Sequence, residues 1–507
     1  MDNDTGQQAS LGRIYRISSI ACLGGFLFGY DSAIISGILV APAFNARYGA
    51  QMPNGNYELS PGTAGDVASI LQLGGFIGIL FQPMFNDRLG RKQSLILLSL
   101  VFSVGAVVQA AAQTAAALYV GRFISGFCVS VLGISVSLYN TECAPSSIRG
   151  KIVGGQQVMV ALGAIAAYAL NYGLALTLDP MDFHLYTIPL GLQALPALLL
   201  GAGMLFMPPS PRWLISRGRG LEARAALAYI RCSSRESQQI DDELQGYSNA
   251  LAADSNASWK RVFSPDNFPR LMVGVPLILF QQFVGMNTLN YFAPQVFRDL
   301  GVTGKSGDLL ATGIIGLVKL FSVIPAVLYM DRVGRRKLFL YGTGGMAICL
   351  AYVGIFYELV QRGLLDVGGK DIWTSIIAIA SIYIFVAFYS ISWAPLHYII
   401  PTEIFPQLIR GKCNSLTGAA DWLGQYASIK IAPLILLLPG GLPFFLFVGL
   451  NCLFFAWGWV LLPETKGYRL EDIGELFKTW KRWRLLPAPP LPGCANPESR
   501  DSDQESF

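Results

Sequence analysis

Long apolar runs separated by short polar stretches set the rhythm of the chain. Runs of spanning length lie near residues 15–40, 64–85, 93–113, 117–141, 150–175, 185–207, 270–299, 307–330, 337–359, 371–402, 411–437 and 442–463. Because about 20 apolar residues cross a bilayer as a helix, they predict twelve transmembrane helices in two sets of six. Two segments depart from the pattern. Residues 208–268 are polar, with helical stretches such as Leu221 to Ile230. The tail from Gly467 opens with Leu470, Ile473, Leu476 and Phe477 at helical spacing, then turns Pro-rich and acidic. The predicted organisation is an N-terminal stretch 1–14, a six-helix bundle 15–207, linker helices 208–269, a second bundle 270–463 and a tail 464–507.

Composition supports the same class. With 507 residues, 53% hydrophobic, 14% charged and a mean hydropathy of +0.46, the chain has too little charge to solvate a soluble surface of its size. The net charge of +5 suggests no nucleic-acid partner. The eight cysteines are scattered, mostly in apolar runs, and the two histidines, His184 and His397, stand apart, so neither a metal site nor a disulfide framework is expected. Gly-rich stretches lack a Walker lysine, and no Ser/His/Asp set recurs, so the chain reads as neither enzyme nor cofactor carrier. The first twelve residues are polar and the run that follows carries Asp31, which does not fit a cleavable signal peptide.

Lysine and arginine gather in alternate loops: Arg88, Arg91 and Lys92; Arg149 and Lys151; Arg212 to Arg270; Arg332 to Lys337; Arg410 and Lys412. By the positive-inside rule both termini and the central linker are expected in the cytoplasm. These loops also repeat. Asp87-Arg-Leu-Gly-Arg-Lys92 after helix two returns as Asp331-Arg-Val-Gly-Arg-Arg336 after helix eight. Glu142-Cys-Ala-Pro-Ser-Ser-Ile-Arg-Gly-Lys151 after helix four returns as Glu403-Ile-Phe-Pro-Gln-Leu-Ile-Arg-Gly-Lys412 after helix ten. The halves are therefore duplicated units, and the fold class is an all-α membrane protein of two pseudo-symmetric six-helix bundles joined by a short cytoplasmic helical linker.

Together with Gly121-Arg122, Pro208-Pro-Ser-Pro-Arg-Trp213 and Pro463-Glu-Thr-Lys-Gly467, these motifs make residues 12 to 480 resemble the sugar porters of the major facilitator superfamily. The resemblance implies a cytoplasmic gate network of Asp87, Arg88, Arg91, Glu142, Arg149, Arg212, Asp331, Arg332, Arg335, Glu403, Arg410 and Glu464. Carboxylates beside guanidinium groups there would lock the halves together in one of two packings. The plainer reading makes the arginines topology signals. The family usually has Gly where Pro83 stands and Glu where Pro209 stands, which leaves the network one carboxylate short.

Polar chemistry also lies inside the apolar runs. Gln281-Gln-Phe-Val-Gly-Met-Asn-Thr-Leu-Asn-Tyr291 places amides and a phenol within a spanning segment, and at 3.6 residues per turn Gln281, Asn287 and Tyr291 fall near one face with Gln282 beside them. Such a face looks onto a ligand, water or another helix. Asp31 and Arg122 lie about 16 and about 19 residues from the cytoplasmic ends of their helices, hence at similar depth at 1.5 Å per residue, and can pair. The pair serves either as a proton-loading site or as a static clamp between helices one and four. Lys319 and Asp421 also fall near mid-membrane, where hexose carriers of the resembled family commonly hold Asn. They either bridge each other or give Lys319 a substrate carboxylate to hold.

By resemblance the substrate-binding set comprises Phe28, Gln157, Gln281, Gln282, Asn287, Tyr291, Lys319, Tyr398, Asp421 and Trp422. Tyr398 stands where the family usually has Trp, and Ala394 and His397 are further departures. The function these features imply is alternating-access symport of a monosaccharide with a proton, by a monomer in the plasma membrane. The alternatives are a carrier of a sugar acid or quinate-like polyol, a passive facilitator, and a non-transporting nutrient sensor.

Overall fold

The computed structural model describes residues 2–466, apart from short stretches at 54, 56, 146–147, 235–236, 255–258, 303–305, 366–371 and 407–408, together with Phe477. The amphipathic tail positions Leu470, Ile473 and Leu476 lie outside the described residues. In the N-terminal half, α1 (Asp2–Leu39), α2 (Pro42–Tyr48), β1 (Ala50–Gln51), β2 (Tyr57–Glu58), α3 (Pro61–Arg88), α4 (Arg91–Ala110), α5 (Ala115–Cys143), α6 (Arg149–Thr177), α7 (His184–Leu192) and α8 (Ala194–Leu205) follow in order. The linker forms α9 (Pro211–Ser216), α10 (Gly220–Arg231), α11 (Gln238–Asp254) and α12 (Trp259–Val262). The C-terminal half runs through α13 (Phe268–Gln282), α14 (Met286–Asp299), α15 (Gly307–Val333), α16 (Arg335–Gln361), α17 (Ile372–Ile391), α18 (Trp393–Ile404), α19 (Arg410–Leu436) and α20 (Leu442–Leu461).

Because α7–α8, α13–α14 and α17–α18 each continue one span, the helices make twelve crossings. Eleven are apolar and long enough by composition alone. The twelfth, α19, has the length at 27 residues but carries Arg410, Lys412, Asp421 and Lys430. One small departure from an all-α chain is the antiparallel ribbon pairing Ala50 with Glu58 and Gln51 with Tyr57.

Lipid is as apolar as leucine, so helices associate in a bilayer through close packing and interhelical hydrogen bonds. The α1–α6 contact shows the packing: a Cβ on Gly29 would lie 1.9 Å from the Val160 carbonyl oxygen, and one on Gly163 would lie 2.1 Å from that of Phe26. Each half has its own apolar core, with Leu95, Phe102, Leu132 and Tyr139 in one and Phe297, Phe339, Phe385 and Trp393 in the other. A third cluster joins the halves. It combines Ile34, Phe44, Val67 and Tyr168 with Tyr291, Phe292, Ile429 and Ala432. These residues lie toward the ends of their helices remote from the Arg/Lys-rich loops, so the halves close on the face opposite the basic one.

The linker packs through Trp213, Leu214, Leu227 and Ile240, and Arg231 bonds Glu243 at 2.6 Å and the Cys143 carbonyl at 2.8 Å. Arg13, near the start of α1, stacks on the Tyr229 ring at 4.5 Å. The linker is thus tied to the N-terminal half by both charge and ring contacts.

Candidate functional site: a polar cleft between the halves

The expected single helix through the amide stretch is broken. Between α13 and α14 the chain turns at Phe283–Gly285, with Gly285 at φ 102°, a conformation that disfavours any residue with a Cβ. A break in mid-membrane frees carbonyls that lipid cannot satisfy, and the neighbouring amides take them up. Asn287 Nδ2 donates to the Gln282 carbonyl at 3.1 Å, Ser428 Oγ donates to the same oxygen at 2.6 Å, and Asn451 Nδ2 donates to Val284 O at 3.1 Å. The side chains then link onward. Asn287 Nδ2 reaches Gln282 Oε1 at 2.9 Å, Gln282 Nε2 donates to Gln281 Oε1 and to Asp421, and Gln281 Nε2 donates to the Tyr389 hydroxyl. One turn beyond Asn287 on α14, the Tyr291 hydroxyl lies 2.6 Å from the Gln72 amide of α3; with that amide turned so that its nitrogen donates to Ala68 O and Ser69 O, its oxygen accepts from Tyr291. Periodicity put Gln281, Asn287 and Tyr291 near one face of a continuous helix, with Gln282 beside them. The break falls before Asn287 and Tyr291, which stay one turn apart on α14; Tyr291 reaches across to α3 of the other half.

In that other half, Arg122 Nη1 donates to Asp31 Oδ1 at 3.1 Å, with the two side chains 0% and 1% exposed. The pair is under-satisfied: among the described residues, Asp31 Oδ2 and Arg122 Nε and Nη2 have no hydrogen-bond partner. Tyr291 lies within electrostatic reach of both members. The amide network of one half therefore adjoins the buried ion pair of the other.

Aromatic rings complete the wall. Phe28 meets Trp422 edge to face at 6.0 Å, and the Trp422 ring lies where a Cβ on Gly75 would be, 2.1 Å from its nearest atom. Tyr398 is 51% exposed although Asp421 and Tyr389 lie within its electrostatic reach, so its exposure is to the cleft. Its neighbour His397 is buried and bonds Trp393 O through Nδ1 at 2.8 Å, as a packing residue does. Gln157 is exposed, three turns along α6 from Tyr168 on the same helical face, whereas Gln156 is held by Ser137 and the Gly133 carbonyl.

Lys319 and Asp421 do not bridge each other. Lys319 Nζ donates to Asn290 Oδ1 of α14, while Asp421 accepts from Gln282. One charge belongs to the α14–α15 side of the half and the other to the α13–α19 side, a separation that distance along the chain does not reveal.

The basic-face motifs also differ from expectation. Arg91 Nη2 bonds Glu142 Oε1 at 2.9 Å, and Arg335 Nη2 bonds Glu403 Oε1 at 2.8 Å. Each pair ties helices of one half; among the described residues neither joins the two halves. Asp87 is largely exposed, 3.9 Å from Arg91, and its carbonyl accepts from Trp213 and Arg217. Arg88 is exposed, Arg212 partly buried in α9, and Arg410 Nε donates to Phe405 O at 3.1 Å. The side chains of Arg149, Asp331 and Arg332 lie outside the described residues. Glu464 accepts from the backbone N–H of Arg335 and Arg336, at 2.9 and 3.2 Å, and so caps α16. Ser210 and Thr465 donate to Glu142 and Glu403 in the same way. Pro209 stands where this internal symmetry would put a second Glu464.

Among the described residues an ion pair that crosses between the halves, Lys430 with Asp66, lies on the opposite face and joins α19 to α3. Sequence reading missed it, along with Tyr389, Ser428, Gln72 and Asn290. Lys430 and Asp66 carried a signal, as charges inside spanning runs. The others are single hydroxyls and amides of ordinary helix composition.

Comparison with known proteins bears on this arrangement. The family model described as "Sugar (and other) transporter" matches residues 17–477. The low-affinity glucose transporter HXT1 of Saccharomyces cerevisiae is 31% identical over 97% of this chain and 88% of its own length. The quinate permease of Neurospora africana is 31% identical over 92% and 89%. Among solved structures, the xylose transporter XylE from E. coli in a partially occluded inward-open conformation matches with TM-score 0.75 and 28% identity, covering 90% of this chain and all of its own. Another structure of XylE, described as a proton:xylose symporter bound to 6-bromo-6-deoxy-D-glucose, matches with TM-score 0.73 and 28% identity over 92% of this chain and all of its own.

Proposed function

Since the chain belongs to the sugar transporter family, we propose that it carries a monosaccharide across the plasma membrane together with a proton, by alternating access. The observation that carries the coupling is the isolated Asp31–Arg122 pair beside Tyr291, at the seam between a protonatable half and an amide-lined half. Amides that both donate and accept, flanked by rings, match vicinal hydroxyls and the C–H faces of a sugar. With the basic face in the cytoplasm, as the positive-inside rule directs, the closed face is external and the cleft opens inward.

In the cycle, a proton entering from outside neutralises Asp31 and removes its hold on Arg122. The freed guanidinium re-pairs among nearby acceptors, and the contact of Tyr291 with Gln72 changes with it. Substrate binding to Gln281, Gln282 and Asn287 then favours closure of the outer face, after which release inward lets Asp31 ionise and re-form the pair. The basic-face pairs hold each half rigid while the halves rock.

Uptake of labelled hexoses and pentoses into transporter-deficient cells, at two external pH values and with an uncoupler, tests this. Accumulation should rise as external pH falls and collapse with the uncoupler. Uptake unaffected by the uncoupler would make the chain a passive facilitator and the ion pair a static clamp.

A further inference from the structure

Lys319 is a cation in the membrane interior held by a neutral partner. Its ammonium has three N–H donors, and the recorded contact, to Asn290 Oδ1, engages one. Leaving a buried charge without an opposite charge costs several kcal/mol, which is why ionisable residues at this depth mark substrate or ion pathways.

Its position says what it faces. One turn away on α15, Gly316 packs against Ile165 and Tyr168 of α6, at 3.1 and 3.4 Å from where its Cβ would be. That contact belongs to the seam between the halves. Lys319 lies one turn nearer the basic face, where the cleft opens, and is partly exposed there. Asp421, also in the cleft wall, is likewise held by an amide, Gln282, with carboxylate lone pairs left to accept from hydroxyls.

We propose that the transported solute is a polyhydroxylated monocarboxylate: Lys319 holds its carboxylate and Asp421 accepts from its hydroxyls. The inference rests on the transport reading and narrows its substrate class. A single ammonium opposite a carboxylate suits a monoanion such as a uronate or a cyclic polyol acid. A dianionic sugar phosphate would meet one cation and an opposing Asp421.

The test is uptake of labelled glucuronate, galacturonate, quinate, glucose and xylose into transporter-deficient cells by wild type, Lys319→Asn and Lys319→Arg, with cell-surface protein quantified. The wild type should take up at least one acid in preference to the neutral sugars. Lys319→Asn should lower the acid-to-neutral ratio at least tenfold, and Lys319→Arg should keep most of it. A second measurement does not depend on any variant folding: the preferred acid should raise the thermal stability of the purified wild type at concentrations where glucose does not. Uptake of neutral sugars with no acid, or acid uptake undiminished in Lys319→Asn, would overturn the proposal and leave sugar transport standing. A wild type present at the surface that carries none of the five solutes would overturn the transport reading with it.

Discussion

Arg122 engages one of its donors with Asp31 and, among the described residues, leaves Nε and Nη2 without a partner, so the pair resists disruption through charge rather than through a full set of bonds. Breaking a buried pair by removing one partner strands the other charge, whereas removing both does not. Arg122→Leu should therefore destabilise the purified protein by roughly 3–5 kcal/mol, and Asp31→Asn combined with Arg122→Leu by clearly less, as read by thermal unfolding. Equal losses would mean the carboxylate is stabilised by something other than the guanidinium. Both residues were legible in the sequence, because a charge inside an apolar run stands out and helix length fixes its depth. The partner of Lys319 was not. Depth allowed Asp421 as well as Asn290, and only packing decides which side of α15 faces which helix.

The broken α13–α14 span shows what a single element contributes. Its polarity was visible, but Phe283-Val-Gly285 reads as ordinary membrane sequence, where glycine is common, so the break itself was invisible. Gly285→Ala, forced to φ 102°, should cost roughly 1–2 kcal/mol and lower substrate affinity, measured by thermal unfolding and by ligand binding. Unchanged stability would mean the turn relaxes freely. Duplicated elements offer an internal control. Glu464 caps α16 through two backbone N–H groups, while Pro209 has no carboxylate to offer the matching start of α4 at Gly90, with φ 84°. Pro209→Glu should stabilise the protein by about 0.3–1 kcal/mol. A fall in stability would show that the two halves have diverged at this loop.

Duplication made the two halves, the twelve crossings and the basic face legible, since a repeated loop motif needs no coordinates to be seen. The conformational state was not, because one sequence encodes both packings and their difference is small. Here the halves meet at the face opposite the basic loops, the external face in the proposed orientation, through the cluster around Ile34, Tyr168, Phe292 and Ile429, reinforced by Lys430 and Asp66. Both charged groups are about one-third exposed, at 34% and 37%, and pairs of this kind contribute about 0.2–1 kcal/mol. Lys430→Met should accordingly shift the balance toward the outward-open state by no more than about fivefold. Labelling of a cysteine placed in the cleft by an impermeant reagent would report it; a shift of a hundredfold would make the ion pair, not the apolar seam, the outer lock.

Proton coupling through Asp31 is tested most directly with purified protein in liposomes, using whichever labelled solute the wild type carries best. The wild type should accumulate that solute under an imposed pH gradient and also exchange it across the membrane without one. Asp31→Asn should keep exchange and lose gradient-driven accumulation. Accumulation by Asp31→Asn equal to that of the wild type would place the coupling proton elsewhere and contradict the account.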